Sequence, residues 1–413
     1  MRFKRLLYFL LFLLFAFYFL KCEGFEGMPK CEVVAFLSSK NDLTKRDSVQ
    51  IIATKVYEGN FIKKLFQGNG YRDAWAQPVT VPIVHFDTLF GGLTPTDKGG
   101  GNQTQSLEFI DSLGNTYTLR SINKDPSGLI PPIAKTLRMG GIITDGISAQ
   151  HPYGALIIPH MMEAIGLWHT SPQLIYVPDQ KGLDSFNLLF NERIYLLEYE
   201  TKGSGEWTGL EGIVEIGDTE DVQKMQLKDP NFKVDIPILV RARLFDLLIG
   251  DWDRHAKNWG WIFTKNGNQT TAIPMACDRD NAFYGIGGLI PSIINRPFLQ
   301  PILRPFDKKI DYLPGMIKPF DSYFLYETPV SVFTTEAVYL QNHLTDEVID
   351  NAIKKWPVEL QKLDGANIAE KIKTRRDDLL TYAKEFPVIL QERGPLKEAL
   401  KGSTKLWSKM NEE

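Results

Sequence analysis

The sequence predicts an α+β chain in which a β-rich N-terminal lobe passes through a short hinge into an α-rich C-terminal lobe. Three stretches carry that expectation. Two β-type runs, at 105 to 110 and 116 to 122, follow a glycine run and flank a Gly114-Asn115 turn. The flexible stretch Lys202-Gly203-Ser204-Gly205 comes directly after the last strand pattern of that half. Beyond residue 330, helical periodicity takes over, as at 345 to 355 and 368 to 386.

The chain opens with Arg2, Lys4 and Arg5, then fifteen uninterrupted apolar residues from Leu6 to Leu20, then Lys21-Cys22. A membrane span needs roughly 20 residues, so residues 1–24 read as a signal peptide or a membrane anchor, with the rest exported to the cell envelope or beyond. Cys22 leaves lipidation open beside cleavage and an uncleaved anchor. Lipidation or an uncleaved anchor would give a route to membrane association through the N-terminal segment.

Residues 25–95 read as a leading β region, in which runs such as Val79 to Val84 alternate with turn residues. Residues 96–202 form the N-lobe. Its glycine run, Gly99, Gly100 and Gly101, opens the hairpin, and a helix is expected over 152 to 166, stopped by Gly166. Strands follow at 172 to 178 and 193 to 200. Residues 203–413 form the C-lobe with its C-terminal helices. Its best-marked element is a buried helix from Asp235 to Ile249, with an aspartate cap, Pro237 in the first turn and Gly250 as its stop.

Composition narrows the function classes. The formal net charge is -3 over 413 residues, which gives no basic field for a nucleic-acid partner. Three cysteines and six scattered histidines form neither a disulfide framework nor a transition-metal ligand pattern.

The chemistry concentrates after the buried helix, in Gly250-Asp251-Trp252-Asp253-Arg254-His255-Ala256-Lys257-Asn258. Asp253, five residues before Asn258, can present a carboxylate to a hydroxyl while the amide oxygen faces Mg²⁺. Twenty residues after Asn258 an apolar run delivers Asp278 at a strand end, with Asp280 as a further metal ligand. Phosphoryl transfer needs this set, because its demands are metal ions on the phosphates and a group that orients the attacking hydroxyl. His255 reads equally as a brace for the loop or as a group near the transferred phosphate. Arg254 reads as a clamp on neighbouring carboxylates, Arg279 as a partner for Asp280, and Trp252, Trp259, Trp261 and Phe263 as packing.

The Asp253-Arg254-His255 run with Asn258 resembles the Asp-Arg-His-x-x-Asn catalytic loop of phosphoinositide 3- and 4-kinases, and is similar to that of HipA-type kinases. Asp278 to Phe283 resembles the metal-binding segment of the same clan, with a spacing like that of type II phosphoinositide 4-kinases. Secretory-pathway kinases share the Asp-Arg-His loop. The broadest resemblance, over about residues 60 to 390, is to uncharacterised bacterial envelope proteins with an Ile-Gly-Asp-Trp-Asp-Arg-His signature. These resemblances imply a two-lobed, protein-kinase-like (atypical kinase) fold, with ATP or another nucleotide and Mg²⁺ as cofactors and an unidentified hydroxyl acceptor as partner.

On that resemblance Gly99 to Gly101 cover phosphates as a kinase glycine-rich loop does. Arg120 stands where the strand lysine of kinases is expected, Lys124 is the rival cation, and Glu163 is its expected helix partner. Three functions stay open: an active kinase, a catalytically silent scaffold or nucleotide-binding protein, and transfer of a nucleotidyl unit.

Overall fold

The computed structural model describes residues 27–38, 46–100, 103–130 and 140–400. The leader of residues 1–24, with Cys22, and Gly101 lie outside the described residues. Among those described, no helix is long and apolar enough to cross a membrane.

The architecture is mixed α+β, built on three sheets. The first is antiparallel and joins β1 (Glu32–Ser38), β2 (Arg46–Ile52) and β3 (Pro78–Pro82). Two helices, α1 (Phe61–Gln67) and α2 (Arg72–Ala76), interrupt what reads in sequence as a leading β region of short runs alternating with turn residues. The Asn60 side chain accepts from the Lys63 N–H and so nucleates α1, a local cap that overrides the surrounding β pattern.

The second sheet has five antiparallel strands: β4 (Leu93–Gly99), β5 (Ser106–Asp111), β6 (Thr116–Ser121), β7 (Gln173–Val177) and β8 (Arg193–Tyr199), in spatial order β4-β5-β6-β8-β7. Its buried face holds Leu107, Phe109, Leu119, Tyr195 and Leu197, and the alternation along β5 and β6 comes from the pleat. The helix expected over 152 to 166 is shorter than its pattern. After α3 (Gly140–Asp145), a 3₁₀ turn at Gly154–Leu156 leads into α4 (Ile158–Ala164), and Gly166 at φ +64° ends the run.

The expected hinge is pinned. Gly203 exchanges two backbone hydrogen bonds with Ile216, which ties it to the third sheet. That sheet contains β9 (Ile213–Asp218), β10 (Phe232–Val234), β11 (Trp259–Asn266) and β12 (Gln269–Ala276), in order β10-β12-β11-β9. Between β9 and β11 lie α5 (Thr219–Lys228) and α6 (Ile236–Ile249). In α6 the Asp235 side chain accepts from the Ile238 N–H, proline occupies the first turn, and Gly250 closes the helix at φ +69°. A methyl group on Gly250 would also come within 2.7 Å of the Phe306 ring. These are the capping features read from the sequence.

The remainder is helical: α7 (Leu289–Ile294), α8 (Pro319–Phe324), α9 (Val330–His343), α10 (Asp346–Ile353), α11 (Ala366–Asp377) and α12 (Leu379–Arg393). The helix expected over 368 to 386 is two helices that meet at Asp378. One apolar cluster runs from the first sheet through α4 and α6 to these helices, so α6 is buried nearly all round and its C-terminus is a fixed point.

Candidate functional site

The αL turn at Gly250 throws residues 251 to 258 off the end of α6, and a buried ionic net holds that loop. Arg254, fully buried, donates to the Asp251 carboxylate at 3.1 Å and to the backbone carbonyls of Cys277 at 2.8 Å and Asn258 at 2.6 Å. It staples the loop to the end of β12. The reading of Arg254 as a clamp therefore holds. Arg279 does not pair with Asp280 as expected; it pairs with Asp246 and, at 3.3 Å, with Asp251. Its segment leaves β12 by turning inward, so Arg279 meets the end of α6 while Asp280 turns away.

Burial alone would raise the Asp246 carboxyl, but Arg279, Arg254 and Arg243 outweigh burial and hold it below the usual range. Asp251 is pushed up to about 6, because burial exceeds the attraction of Arg254 and Arg279 and one of its oxygens has no hydrogen-bond partner. Asp251 is thus part of the frame. The Trp252, Trp259, Trp261 and Phe263 side chains are buried as packing, with Trp259 stacked on Phe320 at 4.9 Å.

The reactive-looking groups sit on this frame. Asp253 is partly exposed. Its carboxylate accepts from Asn281 Nδ2 at 3.3 Å, and Asn281 in turn accepts from Gln150. Asn258 is buried and spends its amide nitrogen on the Asp253 carbonyl at 2.6 Å, which leaves its oxygen as the free ligand atom. His255 caps the next turn by accepting from the Lys257 N–H, and its Nε2 lies 3.8 Å from Asp253. Burial lowers the His255 pKa against the pull of Asp253.

Asp278 takes the left-handed backbone region at φ +54°, a conformation that costs a non-glycine residue about 1–2 kcal/mol and concentrates at functional sites. It leaves the carboxylate about one-third exposed, 2.8 Å from Arg120 on β6. Burial would raise this carboxyl, but Arg120, Lys124 and Arg254 hold it below the ordinary value. Asp280 pairs with Lys124 at 2.9 Å. The two aspartates therefore each meet one of the two cations proposed from sequence, Arg120 and Lys124.

The expected partner of that cation is corrected. Glu163 is 60% exposed and faces His160 and His169 at 3.7 and 3.5 Å. The second carboxylate on Arg120 is Glu198 of β8, at 3.3 Å. Glu163 falls in the last turn of α4, too far along to reach β6, whereas β8 is hydrogen-bonded beside β6. Burial raises the Glu198 pKa despite Arg120.

Arg120, Glu198, Asp278 and Asp280 line a cleft whose apolar side is Ile158 and Met162 of α4. At the glycine turn, Gly99 ends β4 opposite Ser106, and Gly100 has φ +126°. A methyl group on Gly100 would fall 2.4 Å from the Thr104 carbonyl, so glycine is required there.

Three residues escaped the sequence reading. Glu198 and Asn281 stand in recognised segments, but Glu198 meets Arg120 only across strands and Asn281 meets Asp253 and Gln150 only through loops brought together by the fold. Lys318, the residue before α8, is buried; its Nζ donates to the Gly315 carbonyl at 2.9 Å and lies 5.8 Å from the Trp252 ring centre. Burial brings its pKa down to about 7, with Asp253 and Asp321 opposing and Arg243 and Arg393 assisting.

An oxygen-only donor set of Asn258, Asp278 and Asp280 suits Mg²⁺ completed by phosphate oxygens and water. Among the described residues no group of three or more His, Cys, Asp or Glu side chains could hold a metal unaided.

No protein-family model matches the sequence, and no curated protein matches it. A solved structure similar to this chain is the crystal structure of a Helicobacter pylori proinflammatory kinase, CtkA. Sequence identity is 12% and the TM-score 0.32, with 69% of this chain and 95% of that chain covered.

Proposed function

We propose that the chain is a kinase-like protein of the cell envelope that binds ATP or a related nucleotide with Mg²⁺ and moves its terminal phosphoryl group to a hydroxyl acceptor. The observation that carries this reading is the meeting of Asp278 and Asp280, leaving β12 beside the loop of Asp253 and Asn258, with Arg120 on β6 and Lys124 in the segment just past β6. Asn258, Asp278 and Asp280 would hold the metal, which supplies neutralising charge to the phosphates when bound.

Within that reading Asp253 orients the acceptor hydroxyl and accepts its proton, and Asn281 fixes the carboxylate that does so. Arg120 spreads a fork over phosphate oxygens, and the turn at Gly99 and Gly100 brings backbone N–H groups over them. His255 keeps Asp253 in place from the other side.

A second reading is a kinase-shaped scaffold without transfer. It draws on the Arg120 guanidinium, which already bridges Asp278 and Glu198 and so competes with a metal for the same carboxylate. The two separate in one titration. Thermal unfolding with Mg²⁺ and nucleotide at about 100 times Kd should gain about 2.7 kcal/mol of stability. Asp278→Ala should lose that gain, while Asp253→Ala should keep it and lose phosphate transfer. Binding without transfer in the wild type, or no nucleotide-dependent shift at all, rejects the transferase and leaves the scaffold.

A further inference from the structure

The segment that leads away from the aspartate site exposes apolar side chains in a built arrangement. Ile293 is 62% exposed and Phe298 82%, and Leu289 and Leu299 are also exposed. Beside them α1 exposes Phe61 at 79%. The two segments touch backbone to backbone: a methyl group on Gly288 would lie 2.2 Å from the Gly68 nitrogen.

The loop carrying Phe298 is held from inside. The buried Arg304 guanidinium donates to the carbonyls of Asn295 and, at 2.9 Å, Gln300, and pairs with Asp311 at 3.0 Å. A fixed scaffold that points large apolar side chains at water is a surface made to be covered.

The charge pattern says by what. From Asn281 to Phe306 there is no acidic residue, while Arg296 is exposed among the apolar side chains. α1 likewise has two lysines and no acid; Lys63 is drawn to Asp145 at 2.8 Å, and Lys64 lies 3.8 Å from the exposed Asp73. Phenylalanine and leucine interleaved with arginine and lysine form the pattern that settles at a lipid interface. The sequence ahead of the described residues carries three basic residues and a fifteen-residue apolar run, a second element suited to a bilayer.

We propose that the surface formed by α1 and residues 289–299 docks on an anionic lipid bilayer, with Phe61, Ile293 and Phe298 entering the interface and Arg296 meeting phosphate headgroups. This proposal is independent of the phosphoryl-transfer reading, because it uses none of the cleft residues.

The test is hydrogen exchange on the full chain reconstituted into neutral phosphatidylcholine vesicles and into vesicles with added phosphatidylglycerol. The same chain enters both kinds of vesicle, so any contribution of the leader cancels. Amides of 289–300 and of α1 should exchange about tenfold more slowly in the anionic vesicles, independently of the protein-to-lipid ratio. The double variant Ile293→Ser with Phe298→Ser, both exposed and outside the core, should lose that protection with the remaining pattern unchanged. Equal exchange in the two vesicles would overturn the proposal. Protection that grows with the protein-to-lipid ratio would also overturn it, since a second copy of the chain would then be the cover.

Discussion

Asp246 and Asp251 show how few groups hold the candidate loop in register. Both carboxylates are fully buried, and three arginines, 243, 254 and 279, enclose Asp246. Removing one partner from such a net leaves a buried charge uncompensated, at about 3–5 kcal/mol. Arg279→Met should therefore destabilise the chain by that amount in urea unfolding, whereas Lys257→Met on the exposed side of the same loop should change stability by less than about 0.5 kcal/mol.

Lys318 gives a pH signature. Its folded pKa of about 7 lies below the free-lysine value of about 10.4, so the unfolded chain holds the proton between those limits. Its contribution to stability rises with pH across that window and is flat above it. Lys318→Met should remove this slope, so that the stability difference, wild type minus variant, climbs between pH 7 and 10. A difference that stays constant across that range would refute a depressed lysine.

At the level of elements, α6 was legible because every local signal agreed: the Asp235 cap, the early proline, the apolar run and the Gly250 stop. The placement of Asp253, Asn258 and Asp278 was legible for the same reason, each lying a few residues from the end of a strongly patterned element. The long helical pattern of 368 to 386 concealed a break, because its apolar period continues through Asp378 where the backbone does not. Glu198 and Lys318 were illegible as site residues, because their partners come from strand pairing and tertiary packing at long sequence separation. Gly250 links the two levels. It is left-handed, and a side chain would meet Phe306 and Arg375. Gly250→Ala should cost at least about 1 kcal/mol and, if the loop geometry matters, lower nucleotide binding together with stability.

Across the whole molecule, β6 with the segment that follows it and the β12 end meet through two ion pairs, Arg120 with Asp278 and Lys124 with Asp280. On the proposed reading, a nucleotide with Mg²⁺ entering there would compete for all four charges and loosen both ion pairs. On that reading the change would fall on the glycine turn at Gly99 and Gly100 and on Ser204 and Gly205, next to the point where two hydrogen bonds pin Gly203 to Ile216. Ligand that bridges the cleft ties both down, since it adds contacts from each side at once. Limited proteolysis should therefore slow at residues 99–106 and 203–205 when nucleotide and Mg²⁺ are added together. Neither should protect alone, because the carboxylates need the metal to accept phosphate and the metal needs phosphate oxygens to complete its shell. In Arg120→Met the Asp278 carboxylate is released toward the metal while the phosphate contact is lost. Protection in that variant should require more nucleotide but less Mg²⁺, and a parallel rise in both requirements would count against Arg120 as the residue that balances them.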